Sequence, residues 1–144
     1  MFSKACEYGI RAVLYITAQS LSGKRVVLTD IAAEIDSPEA FTAKILQQLA
    51  RNNLVQSIKG PNGGFSISPE AMIKVRLKDI VLAIDGDGII NDCGLGLKKC
   101  DEKSPCPIHF RFKSIRAEII EMLENVTLKE LSQQIEAGDT VLKI

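Results

Sequence analysis

The sequence predicts a mainly helical α+β fold with one small β-hairpin and a long helix near the C-terminus. Apolar residues recur at helical spacing in several segments, most clearly over 3–20 and 107–125. Two short β-prone segments, 54–59 and 64–68, flank the turn Gly60-Pro-Asn-Gly-Gly64, which is rich in residues that tolerate positive φ. With 144 residues, of which 46% are hydrophobic and 25% charged, the chain is long enough for one ordinary domain with its own core.

Charge is balanced over the whole chain but unevenly distributed. Residues 1–84 carry ten Lys or Arg and seven Asp or Glu, whereas residues 85–144 carry eight and eleven. A basic N-terminal part joined to an acidic C-terminal part fits a DNA-binding module with a separate partner or dimer surface. No apolar run is long enough to span a bilayer, and Lys4, Glu7 and Arg11 interrupt the N-terminal apolar segment. We therefore expect a cytoplasmic protein with no signal peptide and no membrane partner.

Two helices are expected in the first 35 residues. The first covers residues 3–20, with Ser3 as its cap and Cys6 as a small buried residue on its apolar side. The second covers residues 28–35, with Thr29 as its N-cap.

A third helix follows after a tight turn. Ser37 is its expected N-cap, Pro38 suits its first helical position, and it should end near Asn52. Two short helices joined by a tight turn are typical of a helix-turn-helix. The third helix should bury four apolar side chains, which are Phe41, Ile45, Leu46 and Leu49.

The third helix and the hairpin together predict a DNA-binding surface. The helix face opposite Ile45 is small and polar with two cations, as a recognition helix needs to enter the major groove. A helix-turn-helix followed directly by a β-hairpin is a winged helix, and Lys59 at the base of the wing is well placed for a phosphate or the minor groove. An ordinary solvated helix face is the alternative, and a P-loop is excluded because no Lys-Ser or Lys-Thr pair follows the glycines. The candidate DNA-contacting residues are Ser37, Glu39, Ala40, Thr42, Ala43, Lys44, Gln47, Arg51, Lys59, Gly60, Pro61, Asn62 and Gly63.

The long helix over 107–125 is expected to form a dimer interface. Its apolar residues recur at spacings of four, three, four and three, as in a heptad seam, and the alternative is a seam packed on the N-terminal domain. A short helix over 77–84 should pack back on the first helix, and the capping box Thr127-Leu-Lys-Glu130 should start a last helix that ends near Gly138. The seam residues are Ile108, Phe112, Ile115, Ile119 and Met122.

Three of the four cysteines and the only histidine lie in one polar loop. Cys93, Cys100, Cys106 and His109 are separated by gaps of six, five and two residues. Thiolates bind iron–sulfur clusters and zinc, and imidazole completes either kind of site. Cys106 is expected to be the N-cap of the long helix, so that the positive end of its dipole faces a bound anionic cluster. A disulfide loop, disfavoured by a reducing cytoplasm, and three incidental thiols are the alternatives.

The chain is thus divided into a winged helix-turn-helix DNA-binding domain at 1–84, a cysteine-rich cluster-binding loop at 85–106, and a dimerisation helix with a terminal helix at 107–144. The fold class is mainly α with a small β-wing. Once His109 is assigned to the loop, no cofactor fingerprint, substrate-binding motif or catalytic histidine remains. We therefore expect the protein not to be an enzyme.

Over nearly its whole length the chain resembles the IscR/NsrR group of bacterial winged-helix transcription regulators, the Rrf-two family. The resemblance lies in Glu7-Tyr-Gly-Ile-Arg11, the wing Lys59-Gly-Pro-Asn-Gly-Gly-Phe65, the three loop cysteines and Thr127-Leu-Lys-Glu-Leu131. It implies a homodimer joined through the long helix that reads a palindromic operator in double-stranded DNA, with repression as the expected mode. It also implies an iron–sulfur cluster that reports iron–sulfur status, nitric oxide or redox stress.

Two features depart from the family pattern, and the ligand set has alternatives. The first cysteine gap is six residues instead of five, and Ala40 and Ala43 replace polar readers, so the operators of relatives do not carry over. His109 resembles the fourth ligand of the assembly-regulator branch, and Glu7 lies where the nitric-oxide-sensor branch has an acidic ligand. One histidine among thiolates favours [2Fe–2S] over [4Fe–4S]. A structural zinc, or a metal-free thiol redox switch, in the same loop is the alternative reading.

Overall fold

A computed structural model describes all 144 residues. It contains eight helices and one two-stranded antiparallel sheet, which confirms the predicted mainly α class with a small β-wing. In chain order the elements are α1 (Lys4–Leu21), α2 (Leu28–Glu34), α3 (Glu39–Arg51), β1 (Gln56–Ile58), β2 (Gly64–Ser66), α4 (Pro69–Lys74), α5 (Leu77–Asp85), α6 (Gly88–Asn91), α7 (His109–Asn125) and α8 (Leu128–Glu136).

Helix α1 is the centre of the fold and begins as predicted. The Ser3 hydroxyl accepts a hydrogen bond from the Cys6 backbone N–H (3.1 Å), which satisfies one of the free donors of the first turn. Cys6 is fully buried, and burial followed by the nearby Asp85 carboxylate raises the pKa of its thiol to about 12. Gly9 is where the close packing of α1 requires a glycine, because a Cβ there would lie 2.3 Å from Ile84 Cδ1. Helix α1 packs against α3, α5 and α8.

The two expected N-caps of the helix-turn-helix are displaced by one or two residues. Helix α2 starts at Leu28 with Val27 as its N-cap instead of Thr29, because the preceding Val26 pairs with the wing and holds the chain extended up to that point. Helix α3 starts at Glu39 with Pro38 as its N-cap, and the Pro38 carbonyl accepts from the Thr42 N–H (2.9 Å).

The core of α3 is as predicted except at one position. Ile45, Leu46 and Leu49 are buried, but Phe41 is 37% exposed. The Phe41 ring lies edge-on to Tyr8 of α1, with 5.8 Å between the ring centroids, so it covers the rim of the helix pair and not its centre.

The wing is shorter than the sequence predicted. The register pairs Gln56 with Ser66 and Ile58 with Gly64, and the two residues before β1 do not belong to the strand because the Leu54 N–H bonds to the Leu49 carbonyl at the end of α3 (3.0 Å). Val26 adds a bridge on the other side of β2, with two hydrogen bonds to Phe65. Gly64 has φ 132°, and a Cβ there would lie 2.8 Å from the Val26 carbonyl oxygen, so the wing requires glycine at this place.

The C-terminal helices return to the first helix. Leu123 of α7 and Leu128 of α8 belong to the single core of 19 buried residues, and the Ser132 hydroxyl donates to the Leu14 carbonyl of α1 (3.1 Å). The capping box at Thr127 is confirmed, with Glu130 bonding back to the Thr127 N–H (2.8 Å). The division at 84 and 106 stays a prediction; the core takes its buried residues from 1–84 and 107–144, and Ile89 of the loop packs against it.

Helix α7 begins two residues later than the sequence suggested. Its N-cap is Ile108, and Cys106 and Pro107 lie in the preceding turn, where the Cys106 carbonyl accepts from the His109 N–H (3.0 Å). No helix combines the length and the hydropathy that crossing a bilayer requires.

Candidate functional site

The cysteine loop lies between α6 and the first turn of α7. Cys93 is buried, Cys100 and Cys106 are half-buried, and all three thiols are free. The His109 side chain is only 5% exposed although it belongs to a helix whose other face is open to solvent. The loop thus brings the predicted soft donors onto one side of α7.

The four donors are arranged as two pairs. His109 Nδ1 lies 3.5 Å from Cys100 Sγ, and Cys106 lies close enough to Cys93 to help lower the pKa of the Cys93 thiol. No group of three or more His, Cys, Asp or Glu side chains is gathered closely enough to hold a metal ion. The donors remain apart for a physical reason: the three thiols bind a metal as anions, and only the metal supplies the attraction that draws them to one point.

Cys93 is the thiol whose surroundings most favour the thiolate. Its pKa is held below the usual value, first by the Leu95 backbone N–H, then by the Leu97 N–H, and further by Cys106 and by the positive charge of Arg116, while burial opposes the shift. Backbone N–H groups directed at a sulfur favour its thiolate form, which is the form that ligates a metal.

Only two buried side-chain polar atoms in the chain lack a hydrogen-bond partner, and both border this loop. They are His109 Nε2 and Arg116 Nε. Buried donors and acceptors normally have partners, so two orphans beside three thiols indicate a place where another group binds. The donor types, their two pairs and these orphans fit an iron–sulfur cluster or a zinc ion in chemical terms.

Glu7, the alternative fourth ligand, is engaged elsewhere in the same chain. Its carboxylate forms an ion pair with Lys4 (2.6 Å), and that hydrogen bond is the main cause of its lowered pKa. Two cavities border the loop, one of about 680 Å³ beside Cys93 and one of about 350 Å³ beside Cys100 and His109, and Glu7 lines neither. Whether Glu7 ligates a metal stays a prediction.

The predicted DNA-contacting residues are mostly on the outer face of α3. Glu39, Ala40, Lys44, Gln47 and Arg51 are exposed. Ser37 and Ala43 are half-buried.

Thr42 does not belong to this face. Its side chain is fully buried and its hydroxyl donates to the Pro38 carbonyl (2.8 Å), so including Thr42 among the DNA contacts was wrong. The i, i+4 position of Thr42 relative to Pro38 turns it inward, where it fixes the start of the helix.

The wing presents four exposed residues, Lys59, Gly60, Pro61 and Asn62, while Gly63 is half-buried. A Cβ at Gly63 would lie 2.1 Å from the Ile58 carbonyl oxygen, so this glycine shapes the turn. Arg25, which the sequence reasoning missed, donates from Nη1 to the Asn62 carbonyl (3.1 Å) and adds a cation beside the wing tip.

The predicted seam on α7 is largely uncovered within one chain. Ile115 is 54% exposed, Met122 45% and Ile108 37%, while Phe112 and Ile119 are half-buried. Contiguous exposed apolar residues on one helix face mark an interaction surface. The helix is therefore anchored in the core through Leu123 and presents an unpartnered apolar face elsewhere.

Residues 2–134 match the sequence family described as Rrf2, iron-dependent transcriptional regulator. The chain belongs to the Rrf2 family. It is 30% identical over 135 residues to a protein of Aquifex aeolicus (strain VF5) that is named as a candidate HTH-type transcriptional regulator, with 91% of this chain and 90% of the relative covered. It is 26% identical over 132 residues to the HTH-type transcriptional regulator IscR of Cronobacter sakazakii, with 92% and 80% covered.

Solved structures of other proteins share this fold. The structure of CymR, the global cysteine regulator of B. subtilis, superimposes with a TM-score of 0.72 at 22% identity, covering 92% of this chain and 96% of the other. IscR of T. potens gives a TM-score of 0.70 at 20% identity, with 98% and 92% covered. As an Rrf2-family member, the chain is a DNA-binding transcriptional regulator and not an enzyme, which confirms the class expected from the sequence.

Arg116 of α7 is a second residue that the sequence reasoning missed, and its guanidinium lies against the cysteine loop. It lies seven residues after His109 and four after Phe112, so all three share one face of α7. A cation at helical spacing from the loop histidine is the signal that could have identified it. Its guanidinium donates to the Asp92 carbonyl and lies 4.8 Å from the Phe112 ring centroid.

Proposed function

We propose that this Rrf2-family chain is a homodimeric regulator whose binding to a palindromic operator is switched by an iron–sulfur cluster in the cysteine loop. The observation that carries the proposal is the placement of three free thiols and the only histidine on one side of α7, with His109 Nε2 buried and without a partner. Soft donors in an electropositive, partly buried loop are what a cluster requires.

The DNA-binding surface consists of the exposed face of α3 together with the wing. Lys44 and Gln47 are the candidates for base contacts, because a lysine or glutamine in the major groove recognises base edges by hydrogen bonds. Arg51, Lys59 and Arg25 are candidates for phosphates or the minor groove, where cations position a protein without reading sequence. The chain is neutral overall, so affinity should depend on these local cations.

The dimer is formed by the uncovered seam of α7. Two copies of this face would bury Ile115 and Met122 against each other in an isologous contact, in which the same patch serves both subunits. Two α3 helices related by a two-fold axis then meet half-sites about one helical turn apart on an inverted repeat.

Cys93, Cys100 and Cys106 would supply thiolates and His109 an imidazole to the cluster. When bound, the cluster supplies a redox-active and oxidant-sensitive group whose loss removes the bonds that hold the loop in one shape. The chain's own residues prepare the site, since Leu95 and Leu97 offer backbone N–H groups to Cys93 and Phe112 backs the glycine at position 94, where a Cβ would lie 3.0 Å from the ring.

Anaerobic purification of the full chain tests this proposal. The expected result is brown protein with iron and acid-labile sulfide, and loss of the colour when Cys93, Cys100 or Cys106 is replaced by Ala. Replacing Cys6 by Ala is the matched control, because Cys6 is a fully buried core thiol outside the predicted ligand set, and the variant should retain the colour. Colourless protein with stoichiometric zinc, or metal-free protein that loses DNA binding on mild oxidation of its thiols, would replace the cluster with one of the two alternatives.

A further inference from the structure

We propose that Arg116 of α7 is the positioning residue of the cysteine loop: it ties two points of the loop to the long helix and supplies the fixed positive charge beside its thiols. This inference rests on the proposed function in one respect, which is that the loop holds the cluster. Its first part concerns the loop alone.

One guanidinium joins two separated points of the loop. Nη2 donates to the carbonyl of Asp92, the residue immediately before Cys93, and Nη1 donates to Cys100 Sγ at 3.9 Å. The group also lies against the Phe112 ring one helical turn earlier, at 4.8 Å from the ring centroid. Cys93 and Cys100, the ends of the longest gap between the ligands, are therefore both held relative to α7.

An arginine is suited to this place in a way that a lysine is not. Its planar fork reaches a carbonyl and a sulfur at once, it stacks on an aromatic face, and it remains charged at any physiological pH. The third donor, Nε, is buried and has no partner within the chain. An anionic group held by the three thiols would give that donor an acceptor.

Arg116 forms no ion pair, although Asp85 and Asp92 line one of the cavities that it borders. Lys113, which lines the other cavity, is paired with Glu102, and every other ion pair of the chain also excludes Arg116. A purely structural surface arginine would usually be expected to lie across apolar surface with its charge in water or on an acid. Here the guanidinium bonds to the Asp92 carbonyl and to the Cys100 thiol, which places a positive charge directly beside one of the predicted ligands.

The same residue borders the apolar seam of α7. Arg116 follows Ile115 directly and precedes Ile119 by three residues, so the loop is attached to the helix stretch that carries the apolar face. If the loop becomes ordered or disordered, the change therefore acts on α7 next to its apolar seam.

Hydrogen exchange of the full chain tests the loop part in metal-free protein. Arg116→Met keeps an apolar stem but removes the fork, and it should speed exchange of amides within residues 92–100 by about tenfold or more, the factor that loss of a charge-assisted hydrogen bond produces. Arg111→Met is the matched control, because Arg111 is an exposed arginine of the same helix whose side chain makes no hydrogen bond or ion pair, and its loop should exchange like wild type. Equal exchange in wild type and Arg116→Met would overturn the positioning role.

The midpoint potential of the reconstituted protein tests the charge part. Arg116→Met should shift the potential to more negative values, since reduction adds negative charge beside the missing cation, and Arg116→Lys should restore the potential while recovering only part of the loop protection. An unchanged midpoint potential in Arg116→Met would overturn the charge role. A wild-type chain that holds no iron and sulfide would also overturn the charge role, and it would remove the proposed function as well. In that case the exchange data alone decide the positioning role. If Arg116→Met fails to fold, Arg116→Gln, which removes the charge but keeps a polar side chain, carries both comparisons.

Discussion

Substituting Ile115 by Asp should separate the dimer seam from the fold of the single chain. Ile115 is 54% exposed on α7, so an aspartate there remains hydrated in the monomer and the core anchored by Leu123 is untouched. In a dimer the same aspartate would be buried against the partner without a counter-charge, which is costly. The substitution should therefore weaken association and leave the fold intact.

The magnitude follows from the exposed fraction. Complete burial of an isoleucine side chain contributes about 1.5–3 kcal/mol, and about half of Ile115 is still available for burial, which gives about 1 kcal/mol per subunit. A two-fold interface contains the residue twice, so the lost apolar contact alone amounts to about 2 kcal/mol, or a Kd about 30-fold higher. The unpaired carboxylates raise the Kd further.

Sedimentation of a dilution series measures this dissociation constant directly. Ser114→Asp is the matched control: Ser114 is an exposed neighbour outside the apolar seam, and the substitution adds the same charge as Ile115→Asp. Circular dichroism should show the same helix content in both variants. If Ile115→Asp dimerises with a Kd within about threefold of that of Ser114→Asp, the interface lies elsewhere and the seam reasoning is wrong.

Three further predictions concern the core, the pH dependence and DNA. Leu123→Ala, at a position 1% exposed, should lower the free energy of unfolding by about 2–5 kcal/mol in urea titrations. The Thr127 backbone N–H, and then the Thr127 hydroxyl, hold the pKa of Glu130 below its usual 4.5. The ionised Glu130 carboxylate therefore stabilises the folded chain above pH 4.5, and this stabilisation is lost as the pH falls below that value. Glu130→Gln should remove that part of the acid sensitivity of the melting temperature. Lys59→Ala should weaken binding to specific and random duplexes alike, and the slope of log binding constant against log salt concentration should become shallower by about 1. Identical slopes for Lys59→Ala and wild type would contradict a phosphate contact. Gln47→Ala should instead lose about 1–3 kcal/mol of discrimination at one base position.

The fold was predictable where its determinants are local. The Ser3 cap of α1, the capping box at Thr127 and Gly63 in the turn of the wing each act within a few residues, and all three occur as expected. The N-cap of α2 was missed because it depends on Val26, whose partner Phe65 lies 39 residues further along the chain. A pairing of that kind leaves no local trace in the sequence.

The candidate site divides in the same way. The donor types and their spacing predict Cys93, Cys100 and Cys106 as ligands, because soft donors clustered in one polar loop are conspicuous in a sequence, and their role as ligands stays a prediction. Arg116 and Arg25 were missed because their acceptors are backbone carbonyls 24 and 37 residues away, and any residue offers a carbonyl. Thr42 was misplaced because a polar residue type was read as exposed, while its hydroxyl is satisfied by its own helix.

The route from the loop to DNA runs through helices that share hydrogen bonds as well as apolar contacts. Helix α7 holds α5 through the buried Leu123 and through the ion pair between Lys78 and Glu124. Helix α5 in turn accepts a hydrogen bond at its Ala83 carbonyl from the Gln48 side chain of the recognition helix (2.6 Å). In the proposed dimer, both α3 helices must match two half-sites about one helical turn apart, so a small rotation of α7 at the seam would change the fit at both. An effect of the loop on DNA affinity therefore requires no contact between the loop and DNA, and it should be measurable as a coupling free energy between cluster binding and operator binding, equal in both directions.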